Sequence, residues 1–202
     1  MPRLSEARRA ERRRHILTSA RGCFSRNGFH ATSMDDIIAA TGMSSSAVYR
    51  YFRSKDELVV AAADEAHVLV RDLFDKLLEQ RPAPSPAEVI TAMVEAARSP
   101  TSHPDYDLTR IVIQTWGEAL RNPSLEERTR SFYLSMHGQL VELCRRWRAE
   151  GRVSAEADDR AIATVLVSLM PGLLVGRHLI ADVTAEELIG GLSSLAVALG
   201  DG

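Results

Sequence analysis

The 202-residue sequence predicts an all-α protein. It divides into an N-terminal three-helix helix-turn-helix unit and a larger C-terminal helical bundle. Three observations carry this. Apolar side chains recur three and four residues apart in segment after segment, as one face of a helix requires. No stretch alternates apolar and polar residues as a half-buried strand would. Ser or Thr followed three residues later by Asp or Glu stands before several of these patterns, which is how helices start.

The first helix is expected over about Ala10 to Asn27, with Ile16, Ala20, Cys23 and Phe24 as its apolar stripe. Gly28 ends it, and Phe29 should pack under the next two helices. The chain before it is mostly Arg with Glu6 and Glu11 interleaved. Its beginning suits a mobile arm that follows phosphates or enters a minor groove, and equally a solvated tail. His15 and His30 read as surface or capping residues.

The central stretch, Thr32 to Leu58, is TSMDDIIAATGMSSSAVYRYFRSKDEL. Ser33 can cap a short helix with Asp36 as reciprocal partner. Ile37 and Ile38 are its apolar side, and Gly42 ends it in a left-handed turn. Ser44 can cap a second helix running to about Phe52. Helix, glycine turn and helix make a helix-turn-helix. At about 100° per residue, Val48 and Phe52 fall together and face the core. Arg50 and Ser46 point away, with Ala47 on one shoulder and Tyr49 and Tyr51 flanking. Such a face suits a major groove: Arg can donate twice to guanine, Ala can touch a thymine methyl, and phenols can hold phosphates.

Ser54 opens the next helix with Glu57 in the capping-box position. It runs to about Gln80 and carries Leu58, Ala62, Leu69, Leu73, Phe74 and Leu77. It begins beside the helix-turn-helix and ends in the second part, which makes it the natural mechanical link. Arg81 to Pro86 is a break. Ser85, Pro86 and Glu88 then open a helix carrying Val89, Ile90, Met93, Val94 and Ala97. After a break at Ser99 to His103, Pro104 can open a helix with Leu108, Ile111, Val112, Thr115, Trp116, Ala119 and Leu120. Asn122-Pro123 ends it. Ser124, with Glu127, caps another carrying Phe132, Met136, Leu140, Leu143, Cys144 and Trp147 to about Glu150. Asp158 to Ile180 is apolar nearly all round, so it must be covered on more than one side. Pro171 should kink it, and Gly172 and Gly176 allow close approach. Thr184, with Glu187, caps the last helix, whose Leu188, Leu192, Leu195 and Leu199 form a packing seam.

Composition narrows the partner. The chain is 45% hydrophobic and 26% charged, as soluble proteins are, and its net charge is −2. Residues 1–60 hold 11 Arg or Lys against 6 Asp or Glu, so the first part is basic and the remainder acidic. That division suits local binding to a polyanion. Cys23 and Cys144 fit buried free thiols in a reducing compartment better than a disulfide. The Arg-rich start is not followed by an apolar run. The longest such run, Ala161 to Gly176, is shorter than the ~20 residues of a membrane span. Cytoplasmic location without membrane attachment is the expectation.

Gly28-Phe29, Thr32-Ser33-Met34, Asp36-Ile37, Gly42-Met43-Ser44, Val48-Tyr49-Arg50-Tyr51-Phe52, Ser54-Lys55 and Leu58 together resemble the DNA-binding domain of the TetR family of regulators. The likeness covers about residues 10 to 60; beyond them only the helix layout is similar. The family usually has Gly where Ser46 stands and Ala where Thr41 stands. The resemblance implies a DNA-binding domain over 1–54 and a helical ligand-binding and dimerisation domain over 55–202. It further implies a homodimer through the helices near 158–180 and 184–199, binding double-stranded operator DNA and released by a small molecule. Ser46, Ala47 and Arg50 would read bases. Ser33, Tyr49, Tyr51 and Lys55 would hold phosphates, and Ser44 and Ser45 would stand beside them at the start of the reading helix.

A ligand pocket between the helices of residues 55–180 would draw on Phe74, Met93, Trp116, Tyr133, Met136, His137 and Met170, each also a plain core residue. Arg110 and Gln114 could orient a polar group. There is no Gly-rich phosphate loop, Gly-x-Ser-x-Gly or Glu-x-x-His. No catalytic residue, metal site or cofactor is expected. A ligand-independent regulator, an activator, or less readily an all-α enzyme or small-molecule carrier are the other readings.

Overall fold

The computed structural model describes residues 6–98 and 105–200. Pro104 and the first five residues of the basic arm lie outside the described residues, as do the side chains of Leu69, Leu73 and Leu199. Among the described residues there is no strand. The helices are α1 (Glu6–Ala31), α2 (Met34–Thr41), α3 (Ser45–Tyr49), α4 (Lys55–Glu79), α5 (Pro86–Arg98), α6 (Leu108–Ala119), α7 (Pro123–Ala149), α8 (Asp159–Leu179) and α9 (Ala185–Gly200).

They form two compact units, Met1–Val68 with Pro100–Thr129, and Leu69–Ser99 with Arg130–Gly202. This differs from a single cut after residue 54. Packing follows apolar complementarity rather than chain order. Leu108, Ile111, Ala119 and Leu125 join the core made by Ile16, Ala20, Phe24, Phe29, Ile37, Val48, Phe52 and Leu58. Phe24 and Phe29 meet edge to face with ring centroids 4.9 Å apart. Arg21 is enclosed in the same unit, 2% exposed, and pairs with Glu65 and with the Tyr106 hydroxyl. Burial lowers its pKa, because the charged form loses water.

In the second unit α5 packs on α8 and α9. Val89, Met93 and Val94 of α5, Leu140, Leu143 and Trp147 of α7, and Leu166, Met170 and Leu174 of α8 are buried. Two side chains close this unit by satisfying backbone carbonyls at helix C-terminal ends, and a third takes a carbonyl in the loop before α5. Arg146 donates to Leu78 O and Gln80 O at the end of α4, at 2.8 and 2.7 Å. Arg177 donates to Ala97 O at the end of α5, at 2.7 Å. The Trp147 indole N–H donates to Pro84 O. Cys23 and Cys144 are both buried and free. Burial raises both thiols, Cys144 to about 11.

Helix α8 is longer than its apolar run. At 21 residues with mean hydropathy 1.6 it could cross a membrane by length and composition alone. One side of it packs on α5, with Ala163, Leu166, Met170 and Leu174 buried. Its assignment continues through Pro171, and no side chain approaches the position of a Cβ on Gly172.

Several helix starts follow the sequence. Ser33 with Asp36, Ser85 with Glu88, and Thr184 with Glu187 each exchange both capping bonds. Others differ. Asn122, not Ser124, caps α7: its Oδ1 accepts from Leu125 N at 3.2 Å, leaving Pro123 at the first helical position, where a missing N–H costs nothing. Asp107 caps α6. Glu57 reaches the Arg53 N–H instead of that of Ser54, although Ser54 Oγ accepts from Glu57 N.

Ser33 hydroxyl and N–H donors hold the Asp36 carboxyl below its usual value. The N–H and hydroxyl of Ser85 do the same for Glu88, and those of Thr184 for Glu187. A depressed folded-state pKa contributes stability that is present above the unfolded value and lost as pH falls through the folded one. Asp36→Asn, Glu88→Gln and Glu187→Gln combined should therefore flatten the fall in urea midpoint below about pH 5. Titration curves of equal slope for variant and wild type would contradict this.

Candidate nucleic-acid interface

The interface begins with two short helices held at a fixed angle by their turn. Ser33 sits extended at φ −94° and ψ 166°, with its Oγ accepting from Asp36 N at 3.1 Å. The Asp36 carboxylate takes the Ser33 N–H at 2.8 Å. Gly42 ends α2 at φ 64°, a left-handed conformation that side chains rarely adopt. Thr41, one of the two unusual residues, is nearly buried. Its hydroxyl donates to Ile38 O at 2.8 Å and accepts from Met43 N at 3.1 Å. His15 of α1 sits 2.9 Å from Thr41 O. An Ala at 41 could make neither hydroxyl bond, so Thr41 ties the turn where the usual residue would leave it to packing.

Helix α3 is shorter than expected. It stops at Tyr49 rather than near Phe52: the Tyr51 N–H takes Val48 O, three residues back, at 2.9 Å, a tighter turn than a continuing helix makes, and shares it with the Phe52 N–H at 3.1 Å. The inward face is as expected: Val48 is 0% and Phe52 2% exposed. Outward stand Ser44, Ser45, Ser46, Tyr49 and Arg50, with Ala47 and Tyr51 half-buried. Ser44 occupies the capping position, but its hydroxyl makes no bond to the helix backbone and lies 3.3 Å from the Ser46 hydroxyl.

Lys55 differs most from expectation. Its ammonium donates to Phe29 O at 2.9 Å and reaches His30 O at 3.5 Å. A cation in the first turn of α4 opposes that helix's own dipole, yet here it sits at the carbonyl end of α1, where positive charge is favourable. An ammonium has three N–H donors, so one remains for a phosphate.

Sequence reasoning passed over two residues. Arg12 and His15 line a groove of about 550 Å³ with Glu11, Met43, Ser44 and Ala47. Their three-residue spacing on α1 was a usable signal, since it places both on the side that meets the turn.

The nine ligand candidates do not come together as one set. Phe74, Met93, Met136 and Met170 are buried in the second unit, where Tyr133 meets Phe132 edge to face and His137 Nε2 lies 3.1 Å from Thr164 Oγ1. Arg110, Gln114 and Trp116 belong to the first unit. The Arg110 side chain is exposed beside Asp107, and the Gln114 amide is taken by backbone groups of α1. Helical spacing shows which face of α6 is apolar, but not which unit that face packs on.

Residues 16–62 match the family described as bacterial regulatory proteins, tetR family, and residues 86–196 match the C-terminal region of BetI-type transcriptional repressors. The transcriptional regulator UidR of Escherichia coli (strain K12) is 27% identical over 176 residues, covering 87% of this chain and 83% of UidR. The repressor Rv1474c of Mycobacterium tuberculosis is 35% identical over 112 residues, covering 52% of this chain and 60% of that one. The solved structure of Salmonella enterica GusR superimposes with a TM-score of 0.69 at 28% identity, covering 86% of this chain and 85% of GusR.

Lys55→Ala is expected to weaken binding to specific and unrelated duplexes alike and to lower the slope of log affinity against log salt by about 1. Fluorescence anisotropy at several salt concentrations measures both. An unchanged slope would leave Lys55 as an internal brace only.

Proposed function

The chain belongs to the TetR family and is a DNA-binding transcriptional repressor; from that premise we propose that it works as a cytoplasmic homodimer that a small molecule releases from its operator. The observation that carries the reading is the polarity of α3. Val48 and Phe52 are buried, while Ser46 and Arg50 face out with Ala47 beside them. In this reading Ser46, Ala47 and Arg50 meet base edges. Ser33, Ser44, Ser45, Tyr49, Tyr51 and Lys55 stand against the phosphates. Arg12 joins them from the groove beside Ser44 and Ala47.

Dimerisation follows from the specificity that one short helix cannot supply. Two reading helices can span half-sites about 34–36 Å apart. Apolar side chains left in solvent support α8 and α9 as the joining surface: Val165 and Leu179 on α8, Ile180 just past its end and Leu195 on α9 are all more than half exposed. A helix so apolar on its outer face needs a cover.

The ligand would bind in the second unit, among residues such as Phe74, Met93, Tyr133, Met136, His137 and Met170. Helix α4 starts in the first unit and ends in the second, so a shift of its far half alters the separation of the two reading helices. The ligand can act only through its different affinities for the DNA-competent and incompetent states.

The test is a gel-shift titration with the DNA upstream of the protein's own gene and unrelated DNA as competitor. A discrete complex that survives competitor is expected, and footprinting it should give two half-sites about 34–36 Å apart. Arg50→Ala should cost roughly 1–3 kcal/mol at one base position and relax preference there. Unchanged preference in that variant removes Arg50 from the reading set, and absence of binding to any duplex at low salt overturns the proposal.

A further inference from the structure

We infer that Gln114 of α6 is a positioning residue for operator recognition: it holds the broken end of α1 in the conformation that aims the helix-turn-helix. The inference rests on the proposal that α3 reads operator DNA.

The chain of contacts lies wholly within the first unit. Gly28 interrupts α1 at φ 85° and ψ 163°, outside helical geometry. An unbroken helix would offer the Phe29 N–H an acceptor at Ser25 O. At the break the acceptor is Gln114 Oε1, at 2.8 Å. The other half of the same amide, Nε2, donates to Phe24 O at 3.1 Å. One side chain thus holds backbone groups on both sides of the break. Phe29 is nearly buried, so its N–H would otherwise be costly to leave unpaired.

The segment after the break is equally tied. The Thr32 hydroxyl donates to Gly28 O at 2.7 Å, and Lys55 donates to Phe29 O. Ser33 then opens α2. From Gly28 to α2 the chain has little freedom, so the angle at Gly28 sets the direction in which α2 and α3 leave. Lys55 is bound to the carbonyl of Phe29, the residue whose N–H Gln114 holds, so the same segment places its ammonium as well.

The rest of α6 holds α1 in the same register. Asp107, the cap of α6, donates its N–H to Ser25 Oγ at 3.0 Å. One turn beyond Gln114, Glu118 Oε2 lies 3.4 Å from His30 Nε2, and Arg121 reaches that nitrogen at 2.7 Å. Gln114 and Glu118 are four residues apart on one side of α6, and Arg121 follows just past its end. The chain leaves the second unit before α6 and returns to it within α7, so α6 is joined covalently to that unit at both ends. Gln114 is where α6 grips the broken end of α1.

The experiment uses the full-length protein and the duplex that wild type selects from a random library. Gln114→Leu keeps the volume and removes both bonds. It should bind the selected duplex at least tenfold more weakly while binding random duplex at low salt within twofold of wild type. Gln114→Glu keeps the acceptor for the Phe29 N–H and should recover part of the lost specificity; it also serves if the Leu variant does not fold. A merely structural role would lower binding to both duplexes together, with the folded fraction. Equal losses on both duplexes, or specific binding within twofold of wild type, would overturn the inference. Failure of wild type to select any sequence would instead overturn the DNA-reading premise, and this inference with it.

Discussion

The burial of Val48 and Phe52 is the constraint on which the orientation of α3 and its outward face depend. A helix of five residues has no stability of its own, because nucleation costs more than one turn of hydrogen bonds returns. Its orientation is borrowed from the two side chains that enter the core with Phe24, Ile37 and Leu58. Once they are inside, α3 has only one outward face, and Ser46 and Arg50 are on it.

Around that anchor, polar side chains repeatedly take over bonds that the backbone lacks. Thr41 ties the turn between α2 and α3, Lys55 takes the last carbonyls of α1, and Gln114 bridges the break at Gly28. The second unit uses the same device, with Arg146 and Arg177 on the ends of α4 and α5. Each such bond relieves a backbone group that would be expensive to bury unpaired. Because these side chains come from distant segments, they also fix angles between helices that local propensity leaves open.

The legible parts of the sequence were those governed by short-range rules. The capping boxes at Ser33, Ser85 and Thr184, the left-handed end at Gly42, the break at Gly28, and the inward pair Val48 and Phe52 all stood where spacing placed them. The misplacements were also local, at competing signals. Asn122 and Ser124 could each cap a helix, and Pro123 decided between them by favouring the first helical position. The early end of α3 was not legible, since it depends on the Tyr51 N–H taking Val48 O instead of the Ala47 O that a continuing helix would offer.

Long-range partners left no mark in the pattern. Nothing in the spacing around Lys55 shows that its ammonium meets the end of α1, and nothing around Gln114 shows that its amide spans the break before Phe29, 85 residues earlier in the chain. The assignment of α6 to the first unit was hidden for the same reason. By itself the sequence determined the helices, most of their ends and the face that α3 turns outward, because these follow from periodicity and capping within a few residues. Only the tertiary structure decided which helices share a core and which polar groups complete distant backbone, because those depend on where the whole chain returns in space.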